Sequence, residues 1–205
     1  MILKEKFEIL CLNFTDNKNL IVNFWNEIEK KYSAESRHYH NFRHLENMFE
    51  EVESVKAQIK NFNNVSFSIF YHDIIYDASS KSNEEKSAEF SKKRLEDLNI
   101  AKEDIQKVYA QILATKSHQK SDDQDTNFLL DADLSILGKD NKAYLEYTKQ
   151  IRKEYSIYPN FLYKPGRKKV LEHFLELESI FKTDFIKAKY EVQARKNIEV
   201  ELRNL

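Results

Sequence analysis

Glycine and proline are scarce: only Gly138, Gly166, Pro159 and Pro165 occur in 205 residues. A chain of this length ordinarily carries about fourteen glycines. Two glycines 28 residues apart cannot build a GxGxxG turn or a P-loop. Rossmann-type dinucleotide binding and Walker-type phosphate cradling are therefore excluded, and a β-sandwich with its many tight turns is disfavoured. The single Cys11 excludes an internal disulfide and a Cys-rich zinc site. Its neighbours Ile9, Leu10 and Leu12 predict a buried core thiol. No apolar run reaches the roughly 18 residues that a membrane helix needs. The opening MILKEKFEILCL carries acid and base inside its apolar stretch, unlike a signal peptide. A cytoplasmic location is expected.

One sign of charge does not dominate either. Lys and Arg number 33, Asp and Glu 34, for a net charge of −1. This gives no support for the concentrated basic face of a duplex binder, and neither a nucleic-acid nor a membrane partner is expected. The only dense basic patch is Lys164, Arg167, Lys168 and Lys169. It reads as a solvated loop and helix start, with phosphate binding as the alternative. With 41% hydrophobic and 33% charged residues, the chain is globular with a heavily charged surface.

What is present is apolar periodicity of helical type, almost throughout. Leu20, Ile21, Phe24, Trp25 and Ile28 mark a helix at about 18–32, and His44, Leu45, Met48, Phe49, Val52 and Val55 one at about 41–60. The run from Val65 to Tyr76 is apolar nearly all round. Its first half favours a strand by propensity, but no other segment supplies partner strands, so it is read as a central buried helix surrounded by others. Ser82-Asn-Glu-Glu85 has the pattern of a capping box and predicts a helix to about 98. Further helices are expected at about 101–117, 125–137, 141–156, 166–177 and 183–204. Asp140 and Thr183 suit N-caps, and Gly138 suits a helix C-terminus where positive φ is needed. Pro159 and Pro165 punctuate a loop. With no repeat, no low-complexity segment and no long linker, the expectation is one all-α domain.

The histidines and acids point to chemistry. His38, His40 and His44 fall within seven residues, and His72 is followed by Asp73 inside the most apolar segment. A charged Asp within a buried helix is costly unless paired or bound to a cation. Asp131 and Asp133 pose the same problem among Phe128, Leu129, Leu130, Leu134, Ile136 and Leu137. One divalent ion held by His44, His72, Asp73 and Asp133 would resolve these costs together. Such a mixed nitrogen and oxygen set takes Mn, Fe, Zn, Ni or Mg.

These residues give a resemblance. The segments Arg37-His-Tyr-His-Asn-Phe-Arg-His-Leu45, Tyr71-His-Asp-Ile-Ile-Tyr-Asp77, Asn83-Glu-Glu-Lys-Ser-Ala88, Leu113-Ala-Thr-Lys-Ser-His118, Leu130-Asp-Ala-Asp-Leu-Ser-Ile-Leu-Gly138 and Ile151-Arg-Lys-Glu-Tyr155 together resemble the HD superfamily of metal-dependent phosphohydrolases. They are closest to its "predicted HD phosphohydrolase" group, over about residues 18–202. The resemblance implies an HD-type helical bundle in a single domain, a divalent metal and phosphohydrolase activity. The implied partner is a small phosphate substrate such as a nucleotide or pyrophosphate; an oligomer is compatible with it.

Carried over residue by residue, the resemblance implies His72 and Asp73 as the central pair. His44 is preferred to His40 as first ligand, because an apolar Met48 follows it by four; His40 becomes a residue near the site. Ala-Asp-Leu favours Asp133 over Asp131, which points about 200° away on a helix and reads as a cap or salt-bridge partner. Asp73, Glu84 and Asp77 are the candidate catalytic carboxylates, with Glu84 or Asp77 as proton acceptor. Lys116, His118, Arg37, Arg43, Arg152 and Arg167 are candidate phosphate contacts, with His118 alternatively a ligand of a second metal. Tyr76 and Tyr155 can stack on a base or bond a phosphate. Two other readings are a dinuclear-iron oxygenase of HD type, drawing on His40 or His118, and an inactive nucleotide-binding regulatory module.

Overall fold

The computed structural model describes residues 2–205. It is all-helical, without a strand among the described residues. The elements are α1 (Leu3–Leu12), α2 (Lys18–Tyr32), α3 (Phe42–Ser54), α4 (Phe62–Tyr71), α5 (Asn83–Asp97), α6 (Lys102–Ala114), α7 (Gln124–Leu134), α8 (Asn141–Glu154), α9 (Asn160–Glu176) and α10 (Asp184–Asn204). Short 3-10 turns at Lys56–Gln58 and Ser135–Gly138 follow α3 and α7. Side chains of Asn17, Asn41, Asn61, Asp123 and Asp140 accept backbone N–H groups at the starts of α2, α3, α4, α7 and α8. They satisfy donors that a helix start otherwise leaves unpaired.

α4 is the centre of the bundle, as its composition predicts. Every residue from Asn64 to Tyr71 is buried, and α3, α5, α6 and α7 pack around it. Burying one Phe or Ile side chain contributes about 1.5–3 kcal/mol. Phe67, Ile69 and Phe70 thus tie the surrounding helices to a common core. Its two serines are not left unpaired: Ser66 Oγ donates to Phe62 O at 2.6 Å and Ser68 Oγ to Gln111 Oε1 at 2.6 Å. α1 closes this core through Leu3, Phe7, Leu10 and Cys11, with Phe7 edge-on to Phe70 at 5.1 Å. Burial pushes the Cys11 thiol up to about 12.

A second apolar core lies under α8, α9 and α10, built on Leu137, Tyr144, Leu171, Phe181, Tyr190 and Ile198. The two cores are joined by satisfied polar contacts. Glu51 on α3 accepts from Lys139, Lys189 and the Tyr190 hydroxyl. Asp131 on α7 accepts from Lys182 N, Thr183 N and Thr183 Oγ1 at 2.7–2.8 Å, capping the start of α10.

Several local expectations are corrected. α4 ends at Tyr71, so His72 and Asp73 lie at its C-terminal turn rather than mid-helix. Arg37 accounts for the turn: it donates to the carbonyls of Asp73 (2.7 Å), Ile74 (3.1 Å) and His40 (3.1 Å). No capping box forms at Ser82, because its side chain makes no cap bond and Glu85 pairs with Lys116. Thr183 starts α10 without a side-chain cap, since its hydroxyl is given to Asp131. Gly138 has no positive φ; it is required by close approach, because a Cβ there would lie 2.4 Å from Tyr190 Cβ. Pro159 precedes α9, but Pro165 lies inside it. Its missing N–H leaves a carbonyl one turn back unpaired, on an exposed stretch where water can serve it.

Candidate metal centre

Three helices deliver the cluster at the seam between the two cores. His44 lies in the first turn of α3, whose other buried residues Leu45, Met48, Phe49 and Val52 fix the helix against the core. His72 follows α4 directly, and its Nδ1 sits 3.0 Å from Ile69 O. A proton on Nδ1 bonded to that carbonyl leaves the Nε2 lone pair facing the cluster. Asp133 is supplied by the last turn of α7.

Ligand atoms of His44, His72 and Asp133 all lie within 4.8 Å of one another. His44 Nε2 is 3.1 Å from His72 Nε2 and 3.2 Å from Asp133 Oδ1. Asp73 Oδ2 stands 3.1 Å from His72 Nε2 and 3.9 Å from His44 Nε2. Both histidines are buried, at 2% and 1% exposure. Two imidazole nitrogens and the Asp133 carboxylate meet here, with Asp73 against His72, and donors of these types suit a divalent cation. The residues present therefore fit a metal.

The electrostatics agree with that fit. Burial pulls His72 down, but the carboxylates of Asp73 and Asp133 overcome it and hold the imidazole up at about 9. Burial also works against the charge on Asp73, yet His72 and His40 keep its carboxyl well below the usual range. Asp133 is held low against burial by His118 and His44. For His44 burial prevails and its pKa falls. The carboxylates stay charged in a buried setting because cationic or hydrogen-bonding groups surround them.

Around this centre the predicted residues divide. His118 joins it: its Nε2 is 2.9 Å from Asp133 Oδ2, and its φ of 50° places it in the left-handed region. His40 lies beside it, its ring 5.8 Å from that of His44. Asp77 does not join; it is exposed and accepts from the Ser79 N–H and hydroxyl. Glu84, half-buried in the first turn of α5, makes no side-chain hydrogen bond or ion pair among the described residues. Lys116 is turned to Glu85 and Lys81 O. Arg43 is exposed and paired with Glu46.

Three arginines expected as phosphate clamps are spent on the fold. Arg37 holds the carbonyls named above. Arg152 donates to Tyr155 O, Tyr158 O and Asn160 Oδ1. Arg167 is buried and forked onto Glu201 at 2.7 and 3.0 Å, with a further bond to the Tyr147 hydroxyl. Their donors are committed to internal acceptors, which leaves little for a ligand.

Glu154 was not singled out by the sequence reading. Its Oε2 lies 2.6 Å from His40 Nδ1 and 2.9 Å from the Tyr76 hydroxyl, and its Oε1 accepts from Tyr39 N and His40 N. Burial raises its carboxyl, but His40 and the backbone donors lower it to about 2. Tyr76 stacks on His40 at 4.2 Å, and Tyr155 is partly buried beside it. The signal was available: Glu154 extends the buried stripe Tyr144, Tyr147 and Ile151 of α8, where a carboxylate needs a reason.

Compared with models of known protein families, with curated proteins and with solved structures, the chain matches none.

Proposed function

We propose that the chain is a divalent-metal phosphohydrolase of HD type, acting on a nucleotide or a related small phosphate ester or pyrophosphate. The observation that carries this reading is the convergence of His44, His72 and Asp133, with Asp73 against His72, on one buried point. The resemblance of the ordered segments around these residues supplies the reaction class.

In this reading His44, His72, Asp73 and Asp133 hold the metal. A bound divalent ion supplies an activated water and neutralises charge on phosphorus. The chain's own residues do the rest. The Ile69 carbonyl fixes the tautomer of His72. Arg37, through the carbonyls of Asp73 and Ile74, sets the turn that presents the Asp73 carboxylate. His40, held at Nδ1 by Glu154, leaves Nε2 for a substrate oxygen. The burial of His44 and His72 limits water at the centre.

A second reading has one observation in its favour. His118 Nε2 lies 2.9 Å from the second oxygen of Asp133, so His118 and Asp133 would offer ligands to a second ion, the set a dinuclear-iron oxygenase of HD type would draw on.

The test is metal analysis of the purified chain followed by hydrolysis assays on nucleotides and small phosphate esters with added Mn²⁺. Bound divalent metal, hydrolysis, and loss of both in Asp73→Ala are expected. A wild type that binds no metal, or an Asp73→Ala variant with full activity, overturns the reading. Two iron ions per chain, without hydrolysis, select the oxygenase.

A further inference from the structure

The corner where α8 turns into α9 differs from the rest of the surface. Ile157, Phe161 and Leu162 are 63%, 75% and 54% exposed. Single exposed apolar side chains are ordinary, but three large ones at one corner mark a contact surface. The inward side of α9 is already used: Asn160 and Tyr163 line a cavity of about 450 Å³ against α8 and α10, with the exposed Lys164 at its edge, and Arg167 is bound to Glu201. Phe161 and Leu162 lie off that stripe. At 3.6 residues per turn, Lys168 and Lys169 stand two turns further along the same outward side, with Pro165 between. All five are exposed. α8 adds the exposed Lys149 and Lys153, four residues apart.

Charge is segregated here. From 147 to 171 there are seven basic residues and one acid, Glu154, in a chain of net charge −1. Glu154 is turned inward to His40, and Arg152 and Arg167 are bound internally. Five lysines remain at the surface: Lys149, Lys153, Lys164, Lys168 and Lys169. Among the described residues, only Glu146 at 3.9 Å and Glu172 at 3.7 Å pair with any of them.

We propose that this corner docks on an anionic phospholipid surface, with Ile157, Phe161 and Leu162 entering the interface and the lysines meeting headgroup phosphates. Apolar tips ringed by lysines fit that boundary, because each long aliphatic stem lies along the apolar zone while its ammonium stays at the phosphates. A second copy fits poorly, since a symmetric contact would set the lysines against each other. A nucleic acid would use the lysines but leave Ile157 and Leu162, which have no π-face, without a partner. Among the described residues no helix is long and apolar enough to cross a membrane, and the proposed contact is a peripheral one. The net charge gives no hint of this surface because it averages the basic stretch 147–171 with the rest of the chain.

The experiment is co-sedimentation of the full chain with vesicles of phosphatidylcholine alone, and with about one-third phosphatidylserine. Sedimentation with the anionic vesicles only, weakened by salt, is expected. Phe161→Asp with Leu162→Asp, and separately Lys168→Glu with Lys169→Glu, should each reduce bound protein at least about tenfold. Helical circular dichroism and metal content should not change, which separates this result from unfolding and from the fate of the metal centre. A wild type that stays in solution at low salt, or variants that sediment like it, overturn the proposal. So does retention of an oligonucleotide in a mobility shift without vesicle binding, or a dimer in sedimentation velocity that Phe161→Asp dissolves.

Discussion

Asp131 and Asp133, two residues apart on α7, serve different partners from different faces of that helix. Asp131 takes the backbone N–H groups of Lys182 and Thr183 and the Thr183 hydroxyl. Asp133 faces His44 and His118. One helix thereby anchors the second core with one carboxylate and furnishes the candidate metal centre with the other. Both acids are compatible with the apolar surroundings because each is fully engaged.

This division predicts opposite phenotypes. Asp131→Ala leaves the start of α10 with unpaired donors and should lose about 2–3 kcal/mol of stability while keeping metal stoichiometry. Asp133→Ala should abolish metal binding at a smaller stability cost in the metal-free protein. Urea unfolding and elemental analysis of both variants check this. Loss of metal in Asp131→Ala at unchanged stability would reverse the assignment.

Metal binding should be pH-dependent through His72. Its imidazole, held up at about 9 by Asp73 and Asp133 despite burial, is protonated in the metal-free protein at neutral pH. A cation must displace that proton, so affinity rises with pH up to about 9 and binding releases protons. Titration calorimetry in buffers of different ionisation enthalpy measures the release. The linked stability has the matching sign. A raised pKa stabilises the metal-free fold fully below the unfolded value of about 6.5, and this contribution is lost as pH rises through 9. Thermal melts in chelator should therefore decline over that window, and melts with saturating metal should not.

Glu154 should act as the anchor of His40. Glu154→Ala leaves the Tyr39 and His40 N–H groups, the His40 ring and the Tyr76 hydroxyl without their shared acceptor, and should cost about 3–4 kcal/mol. Its carboxyl, lowered to about 2, contributes stability that is present above the unfolded value of about 4.3 and lost as pH falls towards 2. The acid unfolding midpoint of the wild type should shift upward in the Glu154→Gln variant. NMR titration should then show a lower His40 pKa, because a charged partner has been removed; an unchanged His40 would disprove the anchoring role.

How much was legible in the sequence follows from where each signal resides. The central helix and the His72-Asp73 pair stand out because charge inside a long apolar run demands an explanation; the choice of Asp133 over Asp131 rests on the resemblance of its Ala-Asp-Leu setting, and helical angle adds only that the two acids face apart. α1 is readable in principle, since Leu3, Phe7, Leu10 and Cys11 fall at helical spacing, although the helices expected from the sequence begin only at about 18. The role of Arg37 was not readable. Its targets are the carbonyls of His40, Asp73 and Ile74, and a carbonyl leaves no mark on composition. Arg152 and Arg167 share this difficulty, because an arginine bound for a buried acceptor and one bound for a ligand look alike until the fold pairs them. The capping pattern at Ser82 failed because Lys116, 31 residues from Glu85, captured that carboxylate.

The two glycines give the sharpest test of the packing. Gly138 closes the turn after α7, where an added Cβ would stand 2.4 Å from Tyr190 Cβ and 2.8 Å from Tyr190 O. These are a β-carbon and a backbone atom of α10, so relief requires moving that helix, which Asp131 and Asn197 hold in place. Gly138→Ala should therefore destabilise by about 1–3 kcal/mol. Gly166 lies inside α9 with nothing within 4 Å of an added Cβ. There the substitution removes only the backbone freedom of glycine, and Gly166→Ala should stabilise by about 0.5–1 kcal/mol. Chemical denaturation of the two variants gives the sign of each effect. A neutral Gly138→Ala would mean that α10 does not approach the turn as closely as the structure has it.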